Sequence, residues 1–269
     1  MPGLSEQEIE VIAQRIVADL TDHAPAKKEQ PPAPSLAGEL GIFDTISQAV
    51  QAAGAAFHEF DQMGLRKRNA VIAAIRNAMR EHRDALAKEA HEETGLGRYE
   101  DKIIKNLLVT ENTPGTEDLQ PQAVTGDDGL NLTEPAPYGV IAAITPTTNP
   151  TSTIINNTIA MVAAGNAVVF NVHPNAKRVS CHNVALINKA IVGAGGPKNL
   201  ITCIANPTVE SAQALMKHPG VRLLVVTGGG GVVQAAMSSG KRAICAGPGN
   251  PPVVVDETAD IDKAARDVV

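Results

Sequence analysis

The sequence predicts an α/β protein: a parallel, doubly wound sheet with helices on both faces. Two observations carry this. From about residue 139 onward, short apolar runs alternate with helix-length amphipathic segments, the rhythm of strands joined by helical crossovers. Ala, Val, Ile and Gly abound, while there are only two Tyr, four Phe and no Trp, which suits close packing of helices on a buried sheet. At 269 residues the chain can bury such a core without disulfide staples.

Taken in order, the elements begin with a capping-box pattern, Ser5 with Glu8, followed by Ile9, Ile12, Ile16 and Leu20 at helical spacing. This reads as an amphipathic helix within residues 1–22. Residues 23–41 hold Pro25, Pro31, Pro32 and Pro34, a composition for an extended linker, so the first helix is expected to be tethered to a main domain of residues 42–269. Two helical stretches follow, 43–60 and 65–95, the second long, amphipathic and stopped by Gly95 and Gly97. After an irregular stretch with Pro114, Gly115 and Gly126, strands are predicted at 139–144, 167–171, 200–204, 222–227 and 252–256. Helices fall between them near 151–164, 178–192, 208–217 and 231–239.

Charge narrows the function. With 29 Asp and Glu against 23 Lys and Arg the protein is mildly acidic, which argues against a broad nucleic-acid surface. No run is long enough to span a bilayer, and the opening MPGLSEQEIE does not read as a secretory signal. Cys181, Cys203 and Cys245 carry no CxxC or Cys/His spacing, and the first two read as small residues in a reduced core. His58, His82, His91 and His218 sit in helical sequence and His23 in the linker, so no metal site is expected.

The chemistry concentrates in three strand-to-helix turns. They are Thr145-Pro146-Thr147-Thr148-Asn149-Pro150, His173-Pro174-Asn175-Ala176, and Thr227 followed by Gly228 to Gly231. Such turns expose unpaired backbone N–H groups at a helix N-terminus, where an anion is favoured. Singly, each is ordinary connection chemistry, and the glycine run is not GxGxxG because Val233 stands at its last position. All three fall at one sheet edge, which points to a nucleotide pocket.

The ordered segments PAPYGVIAAITPTTNP, AMVAAGNAVVFNVHPNA, LLVVTGGGGVV and AGPGNPPVVVDETAD resemble the aldehyde dehydrogenase superfamily, most closely its CoA-acylating propionaldehyde and acetaldehyde branch, over about residues 42–269. EETGLGRYEDKI is similar to the same branch. The resemblance implies an aldehyde dehydrogenase-like, Rossmann-like domain. It would place Thr145, Pro146 and Thr147 on the nicotinamide side, His173 and Pro174 near the adenosine ribose, and Thr227, Gly228, Gly229, Val232 and Ala246 around the remainder of the cofactor. Asn149 takes the oxyanion-stabilising role, one position later than usual. His173 stands where hydrolytic relatives have Lys and Ala176 where they have an acid, which leaves NADP open beside NAD.

Two departures define the expected reaction. Ala243-Ile244-Cys245-Ala246-Gly247-Pro248-Gly249-Asn250-Pro251 matches the segment where hydrolytic relatives carry a water-activating glutamate, and it has no carboxylate. Deacylation by CoA rather than water follows, with Cys245 a small filler residue. The family's nucleophilic cysteine is expected beyond Val269, so the chain alone reads as incomplete and inactive. The expected enzyme converts a short-chain aldehyde, CoA and NAD to acyl-CoA and NADH. The alternatives are a hydrolytic or phosphorylating semialdehyde dehydrogenase, or a non-catalytic nucleotide-binding module. Relatives with such an N-terminal extension further imply that residues 5–20 address the protein to a bacterial microcompartment shell or cargo protein within the cytoplasm, and that the full-length protein is a homo-oligomer.

Overall fold

The computed structural model describes residues 40–247, 249 and 252–268. The expected helix within residues 1–22, and the linker up to residue 39, lie outside the described residues. A short strand, β1 (Ile42–Phe43), leads into α1 (Ile46–Asp61), whose first turn is capped by Thr45 Oγ1 accepting from Gln48 N–H. The long α2 (Leu65–Thr94) stops at Gly95, one of the two glycines read as its stop, which takes a left-handed φ of 66°. Then come α3 (Tyr99–Asn112) and a hairpin of β2 (Gln122–Gly126) and β3 (Gly129–Thr133).

The remainder alternates strand and helix: β4 (Val140–Ile144), α4 (Pro150–Ala163), β5 (Ala167–Asn171), α5 (Lys177–Gly193), β6 (Ile201–Ile204), α6 (Val209–Lys217), β7 (Leu223–Thr227), α7 (Gly230–Met237), β8 (Ala243–Ala246) and α8 (Ile261–Val268). The main sheet is parallel throughout, in the order β1-β6-β5-β4-β7-β8. From β4 the chain winds outward through β5 and β6, then crosses back to lay β7 on the other side of β4. That reversal opens a crevice at the carboxyl ends of the strands.

Burial explains why these residues form strands. Every residue of β4, β5 and β6 is buried, the continuous apolar run of a sheet covered on both faces, whereas β8 at the edge alternates half-buried and exposed. One face is covered by α1 and α6, the other by α4 and α5, and α2 lies over the latter pair as a further layer. Two asparagines tie the layers. Asn166 Oδ1 accepts from Tyr138 N–H and Gly139 N–H while its Nδ2 donates to the Met161 carbonyl, fastening the start of β4 to the end of α4. Asn188 Nδ2 donates to the carbonyls of Leu40 and Ile201. A Cβ on Gly41, at φ 87°, would overlap both the Asn188 amide and the Ile201 carbonyl, so only glycine fits there.

Three sequence expectations are corrected. Residues 252–256 form no strand; the edge strand is Ala243–Ala246, and Val253 to Val255 stand exposed with no ladder partner among the described residues. β propensity alone does not make a strand, because what it measures is packing on a half-buried pleated surface, and these valines are exposed. The stretch read as irregular contains α3, which buries Lys102, Asn106 and Thr110 and exposes Ile104 (64%) and Leu108 (54%). A helix with a polar inner stripe escapes a search for apolar periodicity. The same stretch holds the hairpin, all of whose residues are exposed. Among the described residues no helix is long and apolar enough to cross a membrane.

Candidate functional site

The crevice beside β4 is a cleft of about 920 Å³, walled by the turns after β4, β5 and β7 and by α6. Thr145, Pro146, Thr147, Asn149, His173, Pro174, Thr227, Gly228, Gly229 and Val232 all line it, so ten of the eleven residues singled out in the sequence converge. Ala246 does not line it; it pairs with Thr227 in the ladder and accepts from Gly228 N–H, while Gly247 and Gly249 reach the cleft instead.

The three turns are not equivalent. The N-terminus of α5 is already occupied: both Glu93 oxygens accept from its backbone, at 2.9 Å from Arg178 N–H and 2.7 Å from Val179 N–H. A carboxylate there neutralises the helix dipole, so this turn offers no free anion site. The α4 and α7 N-termini, by contrast, carry no side-chain cap hydrogen bond at Asn149 or Gly229. Both first turns border the cleft, through Asn149 and Thr153 for α4 and through Gly229, Gly231 and Val232 for α7. First-turn N–H groups have no acceptor within their own helix, although Pro150 contributes none. No Asp, Glu, Lys or Arg is among the described lining residues. An anion entering here would be met by backbone dipoles and not by a charged lining side chain.

The polar fittings suit a dinucleotide. Thr145 Oγ1 is buried without a hydrogen-bond partner in the wall beneath β4's end, a group whose burial is costly until a ligand or water satisfies it. Gly229 and Gly231 have no atom within 4 Å of where a Cβ would stand, leaving open room for close approach to the backbone. His173 Nδ1 accepts from Asn175 N–H at 3.2 Å, which assigns the remaining ring nitrogen, Nε2, as the available group on this side chain.

The aldehyde dehydrogenase family model matches residues 40–269. The chain belongs to this family. It is 54% identical over 232 residues to the acetaldehyde dehydrogenase (acetylating) of Bilophila wadsworthia, covering 86% of this chain and 48% of that protein. Among solved structures it resembles propionaldehyde dehydrogenase of Rhodopseudomonas palustris with bound CoA and an acylated cysteine, at TM-score 0.78 and 49% identity, covering 85% of this chain and 53% of that one. It also resembles a propionaldehyde dehydrogenase from the Clostridium phytofermentans fucose utilisation bacterial microcompartment, at TM-score 0.78 and 52% identity, with 85% and 53% coverage. The chain spans about half the length of the relatives it matches.

In this aldehyde dehydrogenase domain, sequence reasoning missed the residues behind the β4–α4 turn. Lys102 Nζ donates to the Thr148 carbonyl at 3.2 Å, Lys105 Nζ donates to Asn149 Oδ1 at 3.2 Å, and the Thr151 hydroxyl donates to Asn106 Oδ1 at 2.8 Å. These three residues of α3 sit at i, i+3 and i+4, one helix face, and meet residues 148, 149 and 151 in step. The seam continues: Asn106 Nδ2 donates to the Arg83 carbonyl of α2 and Asn183 Nδ2 of α5 donates to the Thr151 carbonyl. Burial pushes the Lys102 ammonium below its ordinary range, and neighbouring Lys105 adds to this. The legible signal was the polar spacing of Lys102 and Asn106 itself.

Also missed were Asn171 and the α6 wall. Asn171 Oδ1 accepts from the Ser211 hydroxyl at 2.6 Å, and Ser211 also completes a capping box with Thr208 at the start of α6. The cysteines behave as core residues: Cys203 is buried, Cys181 half-buried with its Sγ 3.7 Å away, and both are free thiols. Cys245 is half-buried, packs against the hydrophobic core and is not among the cleft-lining residues.

Proposed function

We propose that this chain is the nicotinamide-dinucleotide-binding part of a CoA-acylating aldehyde dehydrogenase, which converts a short-chain aldehyde, CoA and NAD to acyl-CoA and NADH through a cysteine thioester. The observation that carries the reading is the cleft at the strand-order reversal, where two uncapped helix N-termini, a glycine run and an orphaned Thr145 hydroxyl face one space. Bound there, the dinucleotide would supply the hydride acceptor. Backbone N–H groups of Gly229 and Gly231 and the α4 N-terminus would hold its anionic portion, with Thr145 to Thr147 beside the reacting ring and His173 and Pro174 by the ribose. NADP stays open beside NAD, since the lining has no carboxylate to repel a further phosphate.

Asn149 would donate from its carboxamide to the aldehyde oxygen as negative charge develops. The absence of a carboxylate between Ala243 and Gly247 leaves water unactivated and supports acyl transfer to CoA. CoA in the Rhodopseudomonas relative and the acetylating activity named for the Bilophila relative support the same assignment. Isothermal titration of this chain with NAD and NADP tests the cofactor reading. Saturable heat from either supports it, and no binding by a folded sample up to millimolar ligand counts against it.

Self-association of the full-length protein draws support from the hairpin, because a two-stranded ribbon exposing Val124, Leu130 and Leu132 is marginal without a partner surface. A microcompartment location, with residues 5–20 docking on a shell or cargo protein, draws support from the Clostridium relative's origin and from the Ile9, Ile12, Ile16 and Leu20 stripe. Fusing residues 1–22 to a fluorescent reporter should give puncta in cells that make compartments, lost with Ile12→Asp and Ile16→Asp. Diffuse signal from the unmutated fusion would remove this role.

A further inference from the structure

An asparagine at the N-cap of a helix ordinarily turns its side-chain oxygen back to accept a backbone N–H of the first turn, a contact of about 1 kcal/mol. Asn149 occupies that position at the start of α4 and makes no such bond. Its Oδ1 accepts instead from Lys105 Nζ at 3.2 Å, across 44 residues of chain. The local preference has been overridden by a tertiary contact. An ammonium has three donors and no acceptor, so only the amide oxygen can face it, and the orientation of the carboxamide is thereby fixed. The Nδ2 group then lies on the opposite side of the Cβ–Cγ axis, and among the described residues it donates to no acceptor, while Asn149 itself lines the cleft.

The charge that does this is in no ion pair among the described residues, although it lies near enough to Asp101 to help Arg98 hold that carboxyl below its ordinary range. Asp101, one turn earlier on α3, is held by Arg98 at 2.7 Å and 3.1 Å. Among the described residues Lys105 has no carboxylate within salt-bridge distance. The backbone on either side is clamped by the same helix face, through Lys102 on the Thr148 carbonyl and Asn106 on the Thr151 hydroxyl. With the backbone held, rotation of the Asn149 amide is the remaining freedom, and Lys105 removes it.

We propose that Lys105 is a positioning residue for the reaction: it holds the Asn149 carboxamide by its oxygen so that Nδ2–H points into the cleft toward the aldehyde oxygen, and its positive charge polarises the amide into a stronger donor. The inference rests on the reading of Asn149 given above. It predicts a particular hierarchy. Lys105→Met frees the amide to flip. Lys105→Glu does worse, because a carboxylate accepts from Nδ2 and turns the oxygen toward the developing negative charge. Lys105→Arg keeps a donor and rescues.

The test is steady-state CoA-dependent aldehyde oxidation by the full-length enzyme, with the NAD dissociation constant measured in parallel as a control on the cleft. Asn149→Ala should lower kcat about 100-fold, Lys105→Glu nearly as much and Lys105→Met about 10-fold, with Lys105→Arg within about 3-fold of the unmodified enzyme. KM for NAD and its dissociation constant should stay unchanged throughout. In the Asn149→Ala background, Lys105→Glu should cost nothing further, since its effect passes through that amide. Undiminished kcat in Lys105→Met and Lys105→Glu beside a crippled Asn149→Ala would overturn the positioning role and leave the reading of Asn149 standing. An additional loss in the double variant would overturn it too. Wild-type kcat in Asn149→Ala would remove the reading of Asn149 itself and, with it, the role of Lys105.

Discussion

The turns after β4 and β7 open onto the same cleft and are built in opposite ways. Residues 148 to 151 are gripped from behind by Lys102, Lys105 and Asn106, side chains that lie more than forty residues away in sequence. At Gly229, Gly230 and Gly231 no atom stands within 4 Å of a would-be Cβ, and Gly228 meets only Val232 at 3.9 Å. One turn is positioned by what surrounds it; the other is useful for what it leaves out. A side chain that must point within tenths of an ångström needs a brace, whereas a backbone that must approach a ligand needs empty space.

The largest expected effect comes from cutting the brace. Asn106→Ala strands the Thr151 hydroxyl in a buried seam and removes the second donor from the Arg83 carbonyl, and should destabilise the protein by about 3 kcal/mol. Urea unfolding reads this directly; a loss under about 1 kcal/mol would mean that the α3 face contributes little. Next is the open turn. Gly231 lines the cleft and sits in the first turn of α7, where leucine is a better helix former than glycine. Gly231→Leu should therefore keep or raise the melting temperature while weakening dinucleotide binding about 10-fold or more, by filling the approach. Binding that survived would place the ligand elsewhere.

Gly230, its neighbour, is in the same helix but not among the lining residues. Gly230→Ala should stabilise by about 0.4–1 kcal/mol and leave titration with NAD unaltered. The adjacent pair thus separates blocked access from altered helix stability. The smallest effect is expected at Cys245, on the strand backing this turn. Packed against the core, it should tolerate Cys245→Ala with full-length turnover within about 3-fold, whereas a nucleophile's removal costs several orders of magnitude. A collapse of turnover in a folded variant would make it a reacting group.

The open turn was legible and the brace was not, for the same physical reason. Glycine runs and the Pro146 and Pro150 punctuation act locally, and apolar strands such as Ala167–Asn171 declare themselves by burial on both faces. Their boundaries agree with the sequence reading to within a residue or so. Lys102, Lys105 and Asn106 act through partners that only the folded topology brings near, on a helix whose buried stripe is polar. Val253 to Val255 fail in the reverse sense: they have strand composition and stand exposed without a ladder partner among the described residues. Glu93 likewise reads as a surface residue of α2 until the chain places it under the α5 backbone.

The inverted face of α3 also bears on the order in which the molecule assembles. Fourteen residues make a marginal helix alone, and the hydrogen bonds that hold this one have partners that exist only after β4 and α4 are in place. Contacts spanning 44 to 46 residues form late in a topology-limited search. Amides of α3 should accordingly lose protection together with those at the start of α4 in native-state hydrogen exchange, as one opening unit, ahead of β5. Until that docking the chain has no assembled cleft, whereas Ile104 and Leu108 face solvent before and after it alike. A half-folded intermediate should therefore be blind to a dinucleotide, and cofactor added during refolding should rescue only molecules that have already made the α3 contact.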